Sequence, residues 1–195
     1  MNHSPAQLYL ASQSPRRAEL LEQIGIQFET LNISLPELKR DHESAEDFVL
    51  RLANEKAIAG LDLREFDHVP VLGADTIVYC DGKILGKPRN EQHAKEMLQL
   101  LSANTHTVMT AVAVATLEQS EVSLNISRIS MRKIESKEID SYVQTGEPMD
   151  KAGSYAVQGQ AAVFIEEIKG SYSGIMGLPL FETARILNCF GISSL

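Results

Sequence analysis

The sequence predicts an α/β protein, and three observations carry that reading. Short apolar runs of strand type alternate with amphipathic helical stretches along the whole chain. The run Leu8 to Ala11 turns abruptly into a helix signal at Ser14-Pro15, and Asp81-Gly82 stands between two strand-like runs as a two-residue hairpin signal. No internal repeat, low-complexity tract or linker breaks the alternation. With 195 residues, 44% of them hydrophobic, the chain can bury a full core as one domain or as a two-lobed one.

Leu8 to Ala11 predicts the first strand. Ser14 as N-cap and Pro15 at the first helical position then start a helix, whose Leu20, Leu21 and Ile24 form an apolar stripe before Gly25. That start puts Arg16 and Arg17 in the first turn, where the helix end already concentrates positive potential and a cation costs about 0.3 to 1 kcal/mol. A bound anion resolves the conflict, because backbone amides, the Ser12 and Ser14 hydroxyls and two guanidinium groups can hold phosphate oxygens. The alternative is that both arginines point into solvent or toward acidic neighbours. Phe28 to Ile33 reads as a second strand and Leu35 to Glu43 as a polar loop, in which Glu37 has no role of its own.

Ser44 with Asp47 three residues later is a capping-box pattern, and Gly60 closes the helix that follows. Its apolar face holds Phe48, Val49, Leu52, Ala53, Ala57 and Ala59, with Lys56 in the middle of it. Either the lysine stem lies along apolar surface while the ammonium reaches water, or the charge meets an anion inside, since an unpaired buried ammonium is costly. Val69 to Cys80 is an apolar strand interrupted by Asp75, a residue type seldom buried unless paired. Counting back from Asp81-Gly82 pairs Cys80 with Lys83, Val78 with Leu85 and Thr76 with Lys87, so Lys87 and Asp75 reach the same end of the ladder. Strict alternation puts their side chains on opposite faces, and contact requires a bulge or kink at Gly73 or Gly86. Asp75 as a mere strand-end cap is the structural alternative.

Asn90 caps a helix carrying Ala94, Met97, Leu98 and Leu101 at core spacing. Thr105 to Leu117 and Val122 to Met131 alternate as adjacent strands, and Ser136 opens a helix ended by Gly146. Asp150 to Gly159 reads as a loop and short strand. Within it the Gln158 amide offers one donor and one acceptor, which match the N3–H and C4 carbonyl of uracil or thymine, although glutamine before glycine is usually just a turn. A strand at Ala162 to Ile168, a loop at 170–174 and a helix from Pro179 to Phe190 capped by Gly191 complete the chain.

The net charge of −8 argues against nucleic-acid binding, because a polyphosphate meets a repulsive far field. No run of about 18 apolar residues predicts a membrane span, and Met1 to Gln7 is too short and polar for a secretory signal, so a cytoplasmic protein is expected. Cys80 and Cys189 read as reduced core thiols and the methionines as core filler. The five histidines are scattered without metal-ligand spacing, so zinc is not expected.

Ser12-Gln13-Ser14-Pro15-Arg16-Arg17, Glu37, Asn54-Glu55-Lys56-Ala57, Gly73-Ala74-Asp75-Thr76, Gly86-Lys87-Pro88, Gly170-Ser171-Tyr172 and Gly177-Leu178-Pro179, taken together and in this order, resemble the Maf family of nucleoside triphosphate pyrophosphatases. Asp150-Lys151-Ala152-Gly153 with Tyr155 and Gln158-Gly159 is similar to the subgroup acting on dTTP and UTP rather than the one acting on 7-methyl-GTP; Gln13 and Ala156 depart from it where glycine is frequent. The resemblance implies one two-lobed Maf/ITPase-like α/β domain over residues 1–195, with a central mixed sheet flanked by helices and a cleft between lobes. It also implies cleavage of a nucleoside triphosphate between the α and β phosphorus atoms, a divalent cation (Mg²⁺ or Mn²⁺) and a homodimer. Carried over by residue, Asp75 is the general base, Thr76, Arg16 and Gln158 shape base selection, Ser12, Arg17, Lys56 and Lys87 hold phosphates, and Glu37 joins Asp75 as a metal partner. A nucleotide-binding regulator of cell division with little turnover is the alternative from another class, since relatives carry a septation-inhibition label; 7-methyl-GTP pyrophosphatase activity is the alternative within the family. Asp75 beside a basic nest favours an enzyme, because a carboxylate weakens phosphate affinity unless a cation or a proton transfer needs it.

Overall fold

The structure is a computed structural model that describes residues 6–194, so the polar segment from Met1 lies outside the described residues apart from Ala6 and Gln7. The elements follow in the order β1 (Leu8–Ala11), α1 (Pro15–Gln23), β2 (Phe28–Thr30), α2 (Ala45–Leu61), β3 (Val71–Cys80), β4 (Lys83–Leu85), α3 (Glu91–Leu101), β5 (Thr105–Ala115), β6 (Ser120–Met131), α4 (Ser136–Gln144), β7 (Ile165–Lys169), α5 (Tyr172–Met176) and α6 (Leu180–Cys189). One mixed sheet runs in the order β2-β1-β3-β5-β6-β7, with β4 paired to β3. No helix among the described residues is long and apolar enough to cross a membrane.

The chain forms two compact units, Met1–Asp75 with Thr110–Asn125 and Gly177–Leu195, and Thr76–Met109 with Ile126–Met176. In the first, β1 is parallel to both neighbours, pairing Leu8 with Phe28 on one side and Ala11 with Gly73 on the other. β2 is shorter than Phe28 to Ile33 because β1 is its partner: the Leu31 N–H donates to the Leu10 carbonyl at 2.9 Å, and β1 then ends. Ser44 caps α2 by accepting from the Asp47 N–H at 3.0 Å, as its sequence signature predicts. One buried cluster of this unit gathers Tyr9, Ala11, Val69 and Val71, with Leu31, Ile33 and Leu61 packed against them.

The second unit is built around Val78, Leu85, Met97, Leu98, Leu101, Ile129, Tyr142 and Phe164. Its β3–β4 hairpin has the expected register, Cys80 opposite Lys83 and Val78 opposite Leu85, and Asp81 (φ 48°) and Gly82 (φ 78°) take the two left-handed conformations that this turn demands. The ladder stops at Leu85, so the expected pairing of Thr76 with Lys87 is not made; the Gly86 carbonyl instead accepts the Gly153 N–H at 3.1 Å.

Four other expectations need correction. The short strand expected within 150–159 is replaced by 3₁₀ turns at Glu147–Asp150 and Ala152–Ser154, because Gly153 (φ 69°) and Ser154 (φ 62°) are left-handed and break any extended run. Residues 162–164 are 3₁₀ and the strand begins at Ile165, while most of the loop expected at 170–174 belongs to α5. Cys80 is a buried free thiol, but Cys189 is exposed, because it lies off the buried stripe Thr183, Ile186 and Leu187 of α6.

Candidate active site

The parallel strands β1 and β3 are paired Ala11 to Gly73, so the residues just beyond that pair, Ser12 on one chain segment and Asp75 on the other, leave the carboxyl end of β1 together. This is the end of parallel strands where α/β proteins place their ligands. Gly73 brings α2 against β3 at this level. A Cβ there would stand 2.4 Å from both the Ala53 carbonyl oxygen and the Ala57 nitrogen. Asp75 lies two residues on, on the same strand face. The close approach lets the Lys56 Nζ donate to Asp75 Oδ1 at 2.7 Å and to Glu37 Oε1 at 2.6 Å. Of the two readings of Lys56, the one with its charge met by anions describes the structure, and the anions are carboxylates. Its side chain is 12% exposed and that of Asp75 8%, so neither charge is left in open water.

The Arg17 side chain is placed by Ser12 and by the Gly177 carbonyl. Its Nη1 donates to Ser12 Oγ at 3.0 Å and its Nε to the Gly177 carbonyl at 2.8 Å, while Ser12 Oγ also accepts the Ser14 N–H at 3.2 Å. Burial pushes the guanidinium below its ordinary pKa, the Asp75 and Glu37 carboxylates pull it back up, and Arg16 adds to the lowering. Arg17 therefore sits within electrostatic reach of both acids, which answers the conflict of a cation in the first turn of α1. Ser14 occupies the cap position of α1, but its side chain makes no capping bond. Arg16 is half-buried.

A clip unforeseen in the sequence holds the Glu37 loop. Arg51 of α2 grips Glu43 through Nε at 2.6 Å and Nη2 at 2.8 Å, donates from Nη2 to the Leu38 carbonyl at 3.0 Å, and reaches Glu55 from Nη1 at 3.0 Å. Leu38 follows Glu37, so Arg51 fixes the backbone beside the acid that meets Lys56. The Arg51 hydrogen bond holds the Glu43 carboxyl down at about 2. A lowered folded-state pKa contributes stability that is complete above the unfolded carboxyl range and lost as pH falls through the folded value. Glu43→Gln is thus expected to flatten the dependence of Tm on pH between about 5 and 2, the window of that shift. Thermal melts across that range check it; parallel curves for the two proteins would remove the clip from the acid response.

Among the described residues, no cluster of three or more His, Cys, Asp or Glu side chains is placed for a metal ion. Glu37 and Asp75 nevertheless converge on one ammonium. Two carboxylates are a fitting donor set for Mg²⁺ or Mn²⁺, because such cations take one or two protein carboxylates and complete their shell with water and substrate phosphates.

The first unit thus brings together Ser12, Arg17, Glu37, Lys56 and Asp75. Thr76, Lys87 and Gln158 belong to the second. Thr76 is the half-buried residue following Asp75 on β3, and Lys87 is exposed. Gln158 is exposed in a turn closed by the Gly159 N–H donating to the Ala156 carbonyl at 3.1 Å. Sequence reasoning missed Arg51, Glu43 and the Gly177 carbonyl. The spacing of Arg51 and Glu55, four apart on one helix, was the only local signal for the clip. None existed for Gly177, whose contact with Arg17 spans 160 positions.

Residues 7–190 match the family described as Maf-like protein. A dTTP/UTP pyrophosphatase of Alkalilimnicola ehrlichii is 50% identical over 189 residues, covering 95% of this chain and 93% of that protein. One from Salmonella typhimurium is 51% identical over 183 residues, covering 94% and 92%. A third, from Methylococcus capsulatus, is 45% identical over 194 residues, covering 100% and 96%.

Proposed function

The chain belongs to the Maf-like protein family, and from that premise we propose that it is a nucleoside triphosphate pyrophosphatase acting on dTTP and UTP. Relatives of that name, about half identical and matched over nearly their whole length, support the reaction and the substrates. The observation that carries the chemistry is the Lys56 ammonium held at 2.7 Å from Asp75 and 2.6 Å from Glu37, with the Arg17 guanidinium within reach of both acids.

Water adds to the α-phosphorus while its proton passes to an Asp75 carboxylate oxygen. The bond from that phosphorus to the bridging oxygen breaks, and pyrophosphate leaves with the electron pair. Arg17, Lys56 and Lys87 counter the charge that gathers on the leaving group, and Ser12 orients Arg17 by accepting from it at 3.0 Å. Glu37 and Asp75 would hold the divalent cation, which supplies further neutralisation and makes nearby water more acidic. Lys56 has a second task. It keeps two acids side by side without mutual repulsion, so that both are in place when phosphate arrives. Gln158, Thr76 and Arg16 select the base, with the Gln158 amide meeting the N3–H and C4 carbonyl of uracil or thymine.

A panel of nucleoside triphosphates assayed with Mg²⁺ for pyrophosphate and orthophosphate tests this. The expected result is pyrophosphate release, fastest from dTTP and UTP. A purine triphosphate as best substrate overturns the specificity, and orthophosphate as the product overturns the reaction.

A further inference from the structure

Gln158 can read a base only as well as its backbone is held, because a swinging turn lets the amide meet any edge offered to it. The turn that carries it is fastened on both sides, by residues with no assigned role. On the near side, Tyr155 is 5% exposed, and its hydroxyl is 2.7 Å from His106 Nε2, with the two rings edge to face at 5.4 Å. His106, on β5, is itself 2% exposed. Burial lowers its pKa to about 4, so at neutral pH the ring pairs with Tyr155 as an uncharged imidazole.

On the far side, Glu147 closes the turn from beneath. Its Oε2 accepts the Gln160 N–H at 3.1 Å, and its Oε1 accepts the hydroxyl of the buried Tyr142 at 2.8 Å. The Gly159 backbone lies flat on the same carboxylate: a Cβ there would stand 2.1 Å from Oε1. Between these two fastenings run only Ala156 to Gly159, bridged by the Gly159 N–H to the Ala156 carbonyl at 3.1 Å. Gln158 thus hangs exposed from a four-residue turn with a buried aromatic at one end and a hydrogen-bonded carboxylate at the other.

We propose that Glu147 and His106 are positioning residues for base selection, fixing the Ala156–Gly159 turn so that the Gln158 amide is presented at one place and angle. This rests on the reading of Gln158 as the base-contacting residue. Neither group touches the reacting phosphates, so their loss is felt in binding and discrimination more than in the chemical step.

The test measures kcat and KM for dTTP, UTP, CTP and GTP in Glu147→Ala, Glu147→Gln, Tyr155→Phe and Gln158→Ala, with Tm taken for each. Glu147→Ala is expected to raise KM for dTTP and UTP about tenfold and to cut their advantage over CTP by a similar factor, with kcat held within about threefold. Glu147→Gln keeps an acceptor oxygen for the Gln160 N–H and is expected to recover most of both. Tyr155→Phe removes only the hydroxyl that meets His106 and is expected to act in the same direction as Glu147→Ala. If Gln158→Ala leaves base preference unchanged, the base-reading role of Gln158 fails and the positioning role with it. If Gln158→Ala abolishes the preference while Glu147→Ala and Tyr155→Phe retain it, the positioning role alone fails. Equal losses of kcat on every nucleotide in Glu147→Ala and Tyr155→Phe also overturn it, since they mark a general structural effect.

Discussion

Asp75→Asn is expected to bind dTTP at least as tightly as the native protein and to lose about a thousandfold in kcat, the usual scale for removing a general base. The two halves of this expectation come from the same carboxylate. Asp75 is 6% exposed, and its Oδ1 accepts from Lys56 at 2.7 Å, beside the cations that receive phosphate. Replacing it with an amide keeps the shape, removes a negative charge that repels the triphosphate, and frees part of the Lys56 ammonium for the substrate. What it cannot do is accept a proton from water. Affinity measured with a non-hydrolysable dTTP analogue, beside turnover of dTTP itself, separates these effects. Near-native turnover by the amide variant would take Asp75 out of the mechanism, and lost affinity would show that its part in holding the divalent cation outweighs its repulsion of the triphosphate.

Gly73→Ala carries the largest expected effect on stability, about 2 to 4 kcal/mol, for a change of one methyl group. The new Cβ would stand 2.4 Å from the Ala53 carbonyl oxygen and from the Ala57 nitrogen. Both are backbone atoms inside α2, a helix anchored by its Ser44 cap and by buried Leu52, Ala53 and Ala57, so no side chain can swing away to make room. The helix must move off β3, and Lys56 moves with it. Tm is therefore expected to fall by roughly 10 °C, accompanied by loss of turnover in protein that is still folded. Gly82→Ala is the control. Its space is open within 4 Å, and only its φ of +78° resists a side chain, so its cost is expected to be nearer 1 kcal/mol, with turnover kept. Equal melting curves for Gly73→Ala and the native chain would show that β3 and α2 are not in register through this glycine.

Much of the secondary structure was legible because its causes are local. The Ser44 cap, the Asn90 cap and the Asp81-Gly82 turn are fixed by atoms within three residues of one another, and each forms as its sequence predicts. The segment from 150 to 164 was misread for the converse reason. Its apolar residues look like a strand, but left-handed Gly153 and Ser154 and the Glu147 carboxylate under Gly159 fold it into short turns. Cys189 looked like a core thiol from its apolar neighbours, yet which helix face is buried depends on what packs there.

The candidate site divides the same way. By itself the sequence determined which residues stand out chemically: arginines in a helix's first turn, a lysine on an apolar helix face, an aspartate inside an apolar strand. Each is a local breach of preference and so visible without coordinates. Only the tertiary structure decided that Lys56 is neutralised by Glu37 and Asp75, that the Gly177 carbonyl and Ser12 aim Arg17, and that Arg51 clips down the Glu37 loop. Partners chosen by packing lie 19 to 160 positions away in these pairs of Lys56 and of Arg17 with Gly177. A charge advertises its need for a counter-charge through its own surroundings, whereas the identity of that counter-charge is set by which backbones come close enough to meet.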